Sequence, residues 1–257
     1  MEINKIHLGD CIEMVQRLDD ESVDLIIADP PYNVGKDFGN ESDKWKKVSE
    51  YIAWSKLWID ACLPKLKPTG SLFVYGIHHY QCYIQCHLYE RELKYRRQII
   101  WFYENGFSGY KNTLAANYEP LLWFSKSDIY TYHTIREPYK SIERLKNQII
   151  KNGKVWTPNP EGKQAGDVWN IPVLAGKRFE NEKVAHPTQK PLAICDRLVK
   201  HFSNPGNLIL IPFAGSGSEC VSAVANKRDF IAFEINPQFI EVANKRLESV
   251  QAELFIL

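Results

Sequence analysis

The sequence predicts an α/β fold: a mostly parallel sheet covered by helices on both faces. Three observations predict it. Short and almost continuously apolar runs recur, among them Val23–Ala28, 207–212 and 230–235, as expected of strands buried on both faces. Segments with helical apolar spacing alternate with these runs. The 257 residues suffice for one large α/β domain or for a domain with an insertion.

In chain order, residues 3–9 read as a strand ending at Asp10, Cys11–Leu18 as a short helix, and Val23–Ala28 as a strand ending at Asp29. A polar loop, Asn33–Lys44, leads to a helix over about 48–63 with apolar spacing at Tyr51, Trp54, Ser55, Trp58 and Cys62. A turn and strand at 66–76, a helix near 79–93 and strands at 96–103 and 118–126 follow. From 127 to 184 regular periodicity weakens, and lysines and arginines are interleaved with Tyr130, Tyr132, Tyr139, Trp156 and Trp169. That mixture suits contact with phosphates and bases, the plainer alternative being a solvated insertion with a small aromatic core. The α/β pattern then resumes with a helix from Pro191 to Phe202, a strand into a glycine turn at 207–218, a helix at Glu219–Asn226, a strand at 230–235 and a helix at Pro237–Ala252.

The buried run before Asp29 ends on "DPPY", Asp29-Pro30-Pro31-Tyr32. In open α/β sheets the carboxyl ends of strands face the ligand crevice. Each proline fixes φ near −65° and lacks an N–H, so the exit is stiff and its carbonyls are left to accept hydrogen bonds. A carboxylate, a proline carbonyl and a tyrosine ring on one rigid turn suit a planar ring that carries an amino group. A turn that merely caps and ends the strand is the plainer alternative.

A second landmark, "PFAGSGS" (212–218), follows a buried strand and opens a helix. Gly215 and Gly217 allow close backbone approach, and the helix start offers unpaired N–H groups. Glu234 ends the next strand, 17 residues after Gly217, where nucleotide-binding folds place a carboxylate for ribose hydroxyls. No Lys follows the turn in a G-K-[ST] pattern, so a cofactor with ribose and adenine but no phosphates fits, and S-adenosylmethionine is the candidate.

Composition narrows the partners. Net charge is +1, so any nucleic-acid contact must come from local clusters of Lys and Arg. The start of the chain has no apolar signal region, and no stretch approaches the roughly 18–20 apolar residues of a membrane span, which predicts a cytoplasmic protein without membrane contact. The six cysteines form no C-x-x-C pair, which argues against a disulfide framework and a zinc ribbon. On a helix, His79, Cys82 and Cys86 would share a face, a spacing that any half-buried helix also produces, and no metal is expected.

"DPPY" first, "PFAGSGS" far later and "HPTQKP" (186–191) between them resemble the β-group of DNA amino-methyltransferases over almost the whole chain. Residues 154–172, "KVWTPNPEGKQAGDVWNIP", are similar to the corresponding segment of the MboIIA-type adenine methyltransferases. The resemblance implies a Rossmann-like S-adenosylmethionine-dependent methyltransferase fold, circularly permuted so that its nucleotide-binding half comes last. Residues 1–126 would be the catalytic half, 127–184 the target-recognition insertion and 185–257 the cofactor-binding half. It sets Asp10 and Cys11 beside the adenine of S-adenosylmethionine, Phe213, Gly215, Ser216, Gly217 and Ser218 along its methionine and ribose, and Glu234 on its ribose hydroxyls. Lys190 would lie near the methionine end, and Asp29, Pro30, Pro31 and Tyr32 would form the catalytic turn, with Asp29 also bordering the cofactor. Two positions depart from the family pattern: Ile211 stands where Asp usually precedes "PF", and Ser218 where Thr usually follows "GSG".

The implied reaction is methyl transfer to the N6 amine of adenine in double-stranded DNA. That amine is a poor nucleophile because its lone pair is delocalised into the ring. Acceptors at Asp29 and the Pro30 carbonyl would draw its hydrogens into a geometry that localises the lone pair for in-line attack. Tyr32 would stack on a base flipped out of the duplex. No cysteine lies in a Pro-Cys turn, so covalent ring-carbon chemistry is not indicated. The N4 amine of cytosine poses the same problem, although the acidic DPPY turn accompanies adenine more often in the family. A DNA-binding protein of this fold that has lost turnover, motivated by Ile211, and methylation of RNA or of a protein glutamine are the remaining readings. A homodimer and a cognate restriction endonuclease are partners the resemblance brings with it, although nothing in the chain itself points to either.

Overall fold

The computed structural model describes residues 1–38, 43–105, 112 and 114–256. Residues 39–42 of the loop after the DPPY turn lie outside the described residues. The strands are β1 (Lys5–Leu8), β2 (Val23–Ala28), β3 (Leu66–Tyr75), β4 (Lys94–Phe102), β5 (Tyr118–Ser125), β6 (Arg136–Glu137), β7 (Ile149–Lys151), β8 (Lys154–Trp156), β9 (Lys163–Gln164), β10 (Val168–Asn170), β11 (Leu208–Ile211) and β12 (Asp229–Glu234). The helices are α1 (Cys11–Met14), α2 (Val48–Cys62), α3 (Gln81–Glu90), α4 (Leu192–Phe202), α5 (Ser218–Ala225) and α6 (Pro237–Ile256).

Eight strands form one sheet in the order β1-β12-β11-β2-β3-β5-β4-β10. It is the expected mostly parallel sheet with a single reversal: β5 runs antiparallel to both β3 and β4. Alternate residues of β2 explain the two covered faces. Leu25 and Ile27 join a core built with α4, α5 and α6, whereas Ile26 and Ala28 join a second core with Trp58, Ile59 and Cys62 of α2 and with Ile84 and Leu88 of α3. Burying such a side chain contributes about 1.5–3 kcal/mol, so a strand buried on both faces must be apolar throughout. In α2 the expected spacing packs inward at Tyr51, Ser55, Trp58 and Cys62, while Trp54 turns toward the cavity described below.

The helix expected at 79–93 begins at Gln81, which leaves His79 off it, and Cys82 and Cys86 are exposed. Among the described residues no group of three potential ligands could hold a metal ion. No helix among them is long and apolar enough to cross a membrane.

The stretch 127–184 is partly core and partly appendage. Ile135, Trp169 and Ile171 are buried in the main core, β10 pairs parallel with β4, and the Trp101 indole N–H donates to the Ile171 carbonyl at 2.7 Å. Tyr130 and Tyr132 pack on Trp123. Between them and β10, β6 pairs with β9, and β7 and β8 form a hairpin closed at Asn152-Gly153. Both turn residues have positive φ, 52° and 70°, as a two-residue hairpin turn with matching twist requires. Trp156, on this hairpin, is 60% exposed, whereas Trp169 is 2% exposed, which separates the two tryptophans into surface and core.

Candidate active site

Four adjacent strands, β1, β12, β11 and β2, end at one edge of the sheet, and chain order reverses between β11 and β2, a topological switch point. At these ends lie Glu234, the last residue of β12, and, just past the other three, Asp10, the 212–217 turn and Asp29. They surround a cavity of about 410 Å³ whose lining includes Asp10, Cys11, Asp29, Phe213, Gly215 and Glu234. Asp10 caps α1, accepting from the Ile12 N–H at 2.8 Å. Glu234 accepts from the Gly215 and Asn236 N–H groups at 2.8 and 2.9 Å, which ties the glycine turn to the end of β12. Burial raises the Glu234 carboxyl above its ordinary range, against the pull of those N–H groups.

The DPPY turn is held from several sides. The Pro31 carbonyl accepts from the Tyr51 hydroxyl at 3.0 Å, so this carbonyl is already engaged within the fold. Asp43, 5% exposed, accepts from the backbone N–H groups of Tyr32, Val34 and Lys36 and pins the chain that leaves the turn.

At the turn itself four polar groups converge. The Lys190 ammonium, 4% exposed, lies 2.9 Å from Asp29 Oδ2 and 3.5 Å from Glu119 Oε2. The Tyr32 hydroxyl donates to Asp29 Oδ1 at 2.7 Å and lies 3.1 Å from Glu119 Oε2. Burial pulls the lysine down, but Asp29 and Glu119 outweigh it and hold the ammonium above its usual range. Burial raises the Glu119 carboxyl, opposed by Lys190 and reinforced by Asp29. Tyr32 is pushed far up, by burial first and then by the two carboxylates. Two further groups border this cluster. Burial and then Asp29 push the Glu219 carboxyl up to about 7, and burial pushes the His186 imidazole down to about 4.

The residues expected from sequence divide by position. Asp10, Cys11, Asp29, Pro30, Pro31, Tyr32, Lys190, Phe213, Gly215, Ser216 and Glu234 all reach the cavity wall. Lys190, expected near a cofactor, is directed at Asp29 and Glu119. Gly217 and Ser218 lie behind the wall. Gly217 has φ +75°, and a Cβ there would stand 2.6 Å from that of Ala243, so this glycine serves the packing of α5 on α6. Ser218 is fully buried and donates to the Lys190 carbonyl at 2.8 Å. Ile211 is 1% exposed and belongs to the core, where an apolar side chain packs without an unpaired charge. Glu119, Asp43 and His186 carried no signal in the reading of single motifs. Of these, His186 begins "HPTQKP" and packs edge-on against Phe239, 4.4 Å between ring centroids.

Residues 23–245 match the family model described as DNA methylase. The chain is 33% identical to the type II methyltransferase M1.MboII of Moraxella bovis, over 98% of this chain and 99% of that one. It is also 33% identical to the DNA adenine methyltransferase YhdJ of Escherichia coli K12, over 96% and 83% of the two chains. Among solved structures, the M1.HpyAVI complex with S-adenosylmethionine superposes with a TM-score of 0.63 at 23% identity, covering 95% of this chain and 98% of that one. The cytosine-N4-specific PvuII DNA methyltransferase superposes with a TM-score of 0.70 at 18% identity, over 96% and 89%. These two likenesses concern the fold, whereas the family match spans most of the sequence: the chain belongs to the N6/N4 DNA methylase family.

Proposed function

We propose that the protein transfers a methyl group from S-adenosylmethionine to the N6 amine of adenine in duplex DNA, with the target base flipped into the cavity. The observation that carries this reading is the juxtaposition, around one cavity, of Asp29 and Pro30 with the Asp10, Gly215 and Glu234 set on the three neighbouring strands.

The residues present fit the cofactor. Gly215 has φ +48°, and a Cβ there would meet the His186 ring at 3.0 Å, so the turn keeps its cradle only as glycine. Both Glu234 oxygens accept one backbone N–H each and retain lone pairs for ribose hydroxyls. Phe213, edge-on to Trp58 and beside Trp54, offers an aromatic wall to a purine. When bound, the cofactor supplies an electrophilic methyl group on a sulfonium. Asp29 and the Pro30 carbonyl accept the two hydrogens of the target amine and orient its lone pair. The ion pair with Lys190 and the bond from Tyr32 fix the Asp29 carboxylate in place, so it need not reorganise as positive charge develops on the amine. The Tyr32 ring borders the cavity and stacks on the flipped base.

In this reading residues 1–126 and 185–257 are the catalytic and cofactor halves of a circularly permuted domain, and 127–184 recognise the target sequence. The appendage β6–β9 carries Lys151 and Lys154 on either side of the hairpin turn and an exposed Trp156, a combination suited to phosphates and bases. Incubating plasmid DNA with the protein and S-adenosylmethionine, then mapping modified bases by single-molecule sequencing, tests the assignment. N6-methyladenine at a fixed motif is expected. N4-methylcytosine would overturn the base assignment, and binding without modification would favour a protein that has lost turnover.

A further inference from the structure

The Tyr32 hydroxyl has one proton and two carboxylates within reach: 2.7 Å to Asp29 Oδ1 and 3.1 Å to Glu119 Oε2. It can donate to only one at a time. In the structure the shorter contact goes to Asp29, so the Tyr32 oxygen faces Glu119 across hydrogen-bonding distance, and Lys190 bridges the same two carboxylates from the other side. Asp29 and Glu119 are thus linked twice, once through an ammonium and once through a hydroxyl that can pass a proton.

We propose that Glu119 is the terminal acceptor of the proton that methyl transfer releases, reached from Asp29 through the Tyr32 hydroxyl, with Lys190 holding the two carboxylates together. The proposal rests on the methyltransferase reading above. As the amine nitrogen takes the methyl group from the sulfonium, N–C forming while S–C breaks, positive charge develops on a nitrogen that still carries both hydrogens, so proton loss belongs to the step whose rate is measured. One N–H bond breaks and its proton bonds to Asp29. That proton then moves to the Tyr32 oxygen as the Tyr32 proton moves to Glu119 Oε2. Tyr32 ends neutral, Asp29 is regenerated as a carboxylate, and nothing is oxidised or reduced. Glu119 does not line the cavity, yet 20% of its side chain is exposed, so water can take the proton from it. Its burial-raised carboxyl makes it a stronger base than a glutamate in water. Because Glu119 acts through Tyr32, it is a positioning residue of the reaction.

The other groups facing this pair are Lys190, Tyr75 on β3, Tyr103 just past β4, His186 and Glu219. The two tyrosines are held neutral by burial across the neutral range, and His186 titrates near 4. Glu219, at about 7, titrates within it and serves as the comparison. Single-turnover methyl transfer to a duplex bearing a mapped site is measured from pH ~5.5 to ~9 for wild type, E119Q, Y32F, the double variant and E219Q, with cofactor affinity by calorimetry on each preparation. The relay predicts a loss of about 10²-fold for E119Q and for Y32F, with cofactor affinity within about threefold. Where the raised Glu119 carboxyl contributes an acid limb to the wild-type profile, that limb should vanish in E119Q and persist in E219Q. The double variant should be no slower than the slower single variant, because the two residues act in series. If E119Q does not fold, E119A takes its place, because Y32F also removes the hydrogen bond that holds Asp29. Multiplicative losses, a rate within about threefold of wild type, or an acid limb that disappears with Glu219 instead would overturn the relay and leave the methyltransferase reading standing. Absence of transfer to any DNA by the wild-type protein would overturn both.

Discussion

Asp29 accepts from an ammonium on one oxygen and from a phenol on the other, so the D29N variant keeps the shape of the side chain and loses the charge that both donors complement. Methyl transfer should fall by at least ~10³-fold, while S-adenosylmethionine affinity stays within about tenfold, since in the proposed mechanism the carboxylate acts on the amine. Tritium transfer and calorimetry on one preparation check this; substantial residual transfer would remove Asp29 from the chemistry. A second residue, His186, makes stability depend on pH. Its folded pKa, about 4, lies below the ordinary value near 6.5, so between the two the unfolded chain binds more protons and stability falls as pH drops. From pH 7 to pH 5 this histidine alone should remove about 2 kcal/mol. Urea midpoints at the two pH values, for wild type and H186Q, measure it, and an equal drop in H186Q would assign the acid sensitivity elsewhere.

At the scale of elements, the β7–β8 hairpin and the α5–α6 contact give the sharpest expectations. Lys151 and Lys154 pair across the hairpin beside its turn. Neutralising both should weaken binding to any duplex and reduce the slope of log affinity against log salt by about 1–2. Isotherms at three salt concentrations would reveal an unchanged slope, which would move the interface to the basic loop after the DPPY turn. Gly217→Ala puts a methyl group 2.6 Å from the Ala243 Cβ at a φ of +75°, and thermal unfolding should show a loss of about 1–3 kcal/mol. The strand ends were legible because β1, β2, β11 and β12 are parallel, and each delivers its chemistry just after an apolar run. Glu119 was not, because β5 is reversed and its site residue opens the strand instead of closing it. Asp43 escaped for a different reason: its role is to accept three backbone N–H groups, and no periodicity or spacing reports that. Trp156 and Trp169 look alike in sequence and part only when β10 joins the sheet, a long-range pairing that local pattern does not contain.

For the molecule as a whole, the β6–β9 appendage enters and leaves on paired strands. Glu137 and Lys163 are register partners across β6 and β9, so replacing residues 138–162 by Asn-Gly asks the chain for a two-residue hairpin turn and nothing more. Cofactor affinity should stay within about threefold and duplex binding should be lost. A variant that unfolds would mean the appendage supports the core, and one that still binds its site would place recognition elsewhere. The strand order also bears on how the protein is made. β1 and β2 are synthesised early, but β11 and β12, which separate them in the sheet, are made after every other described strand. On the ribosome, β2 therefore waits on the order of ten seconds with one edge unpaired while the chain from β5 to β11 is translated. An exposed apolar edge is a template for pairing with other chains, so cells that stall or truncate translation before β11 should accumulate aggregated fragments. The same order leaves any such fragment without the proposed site, because Asp29 meets the glycine turn and Glu234 only once translation has passed them.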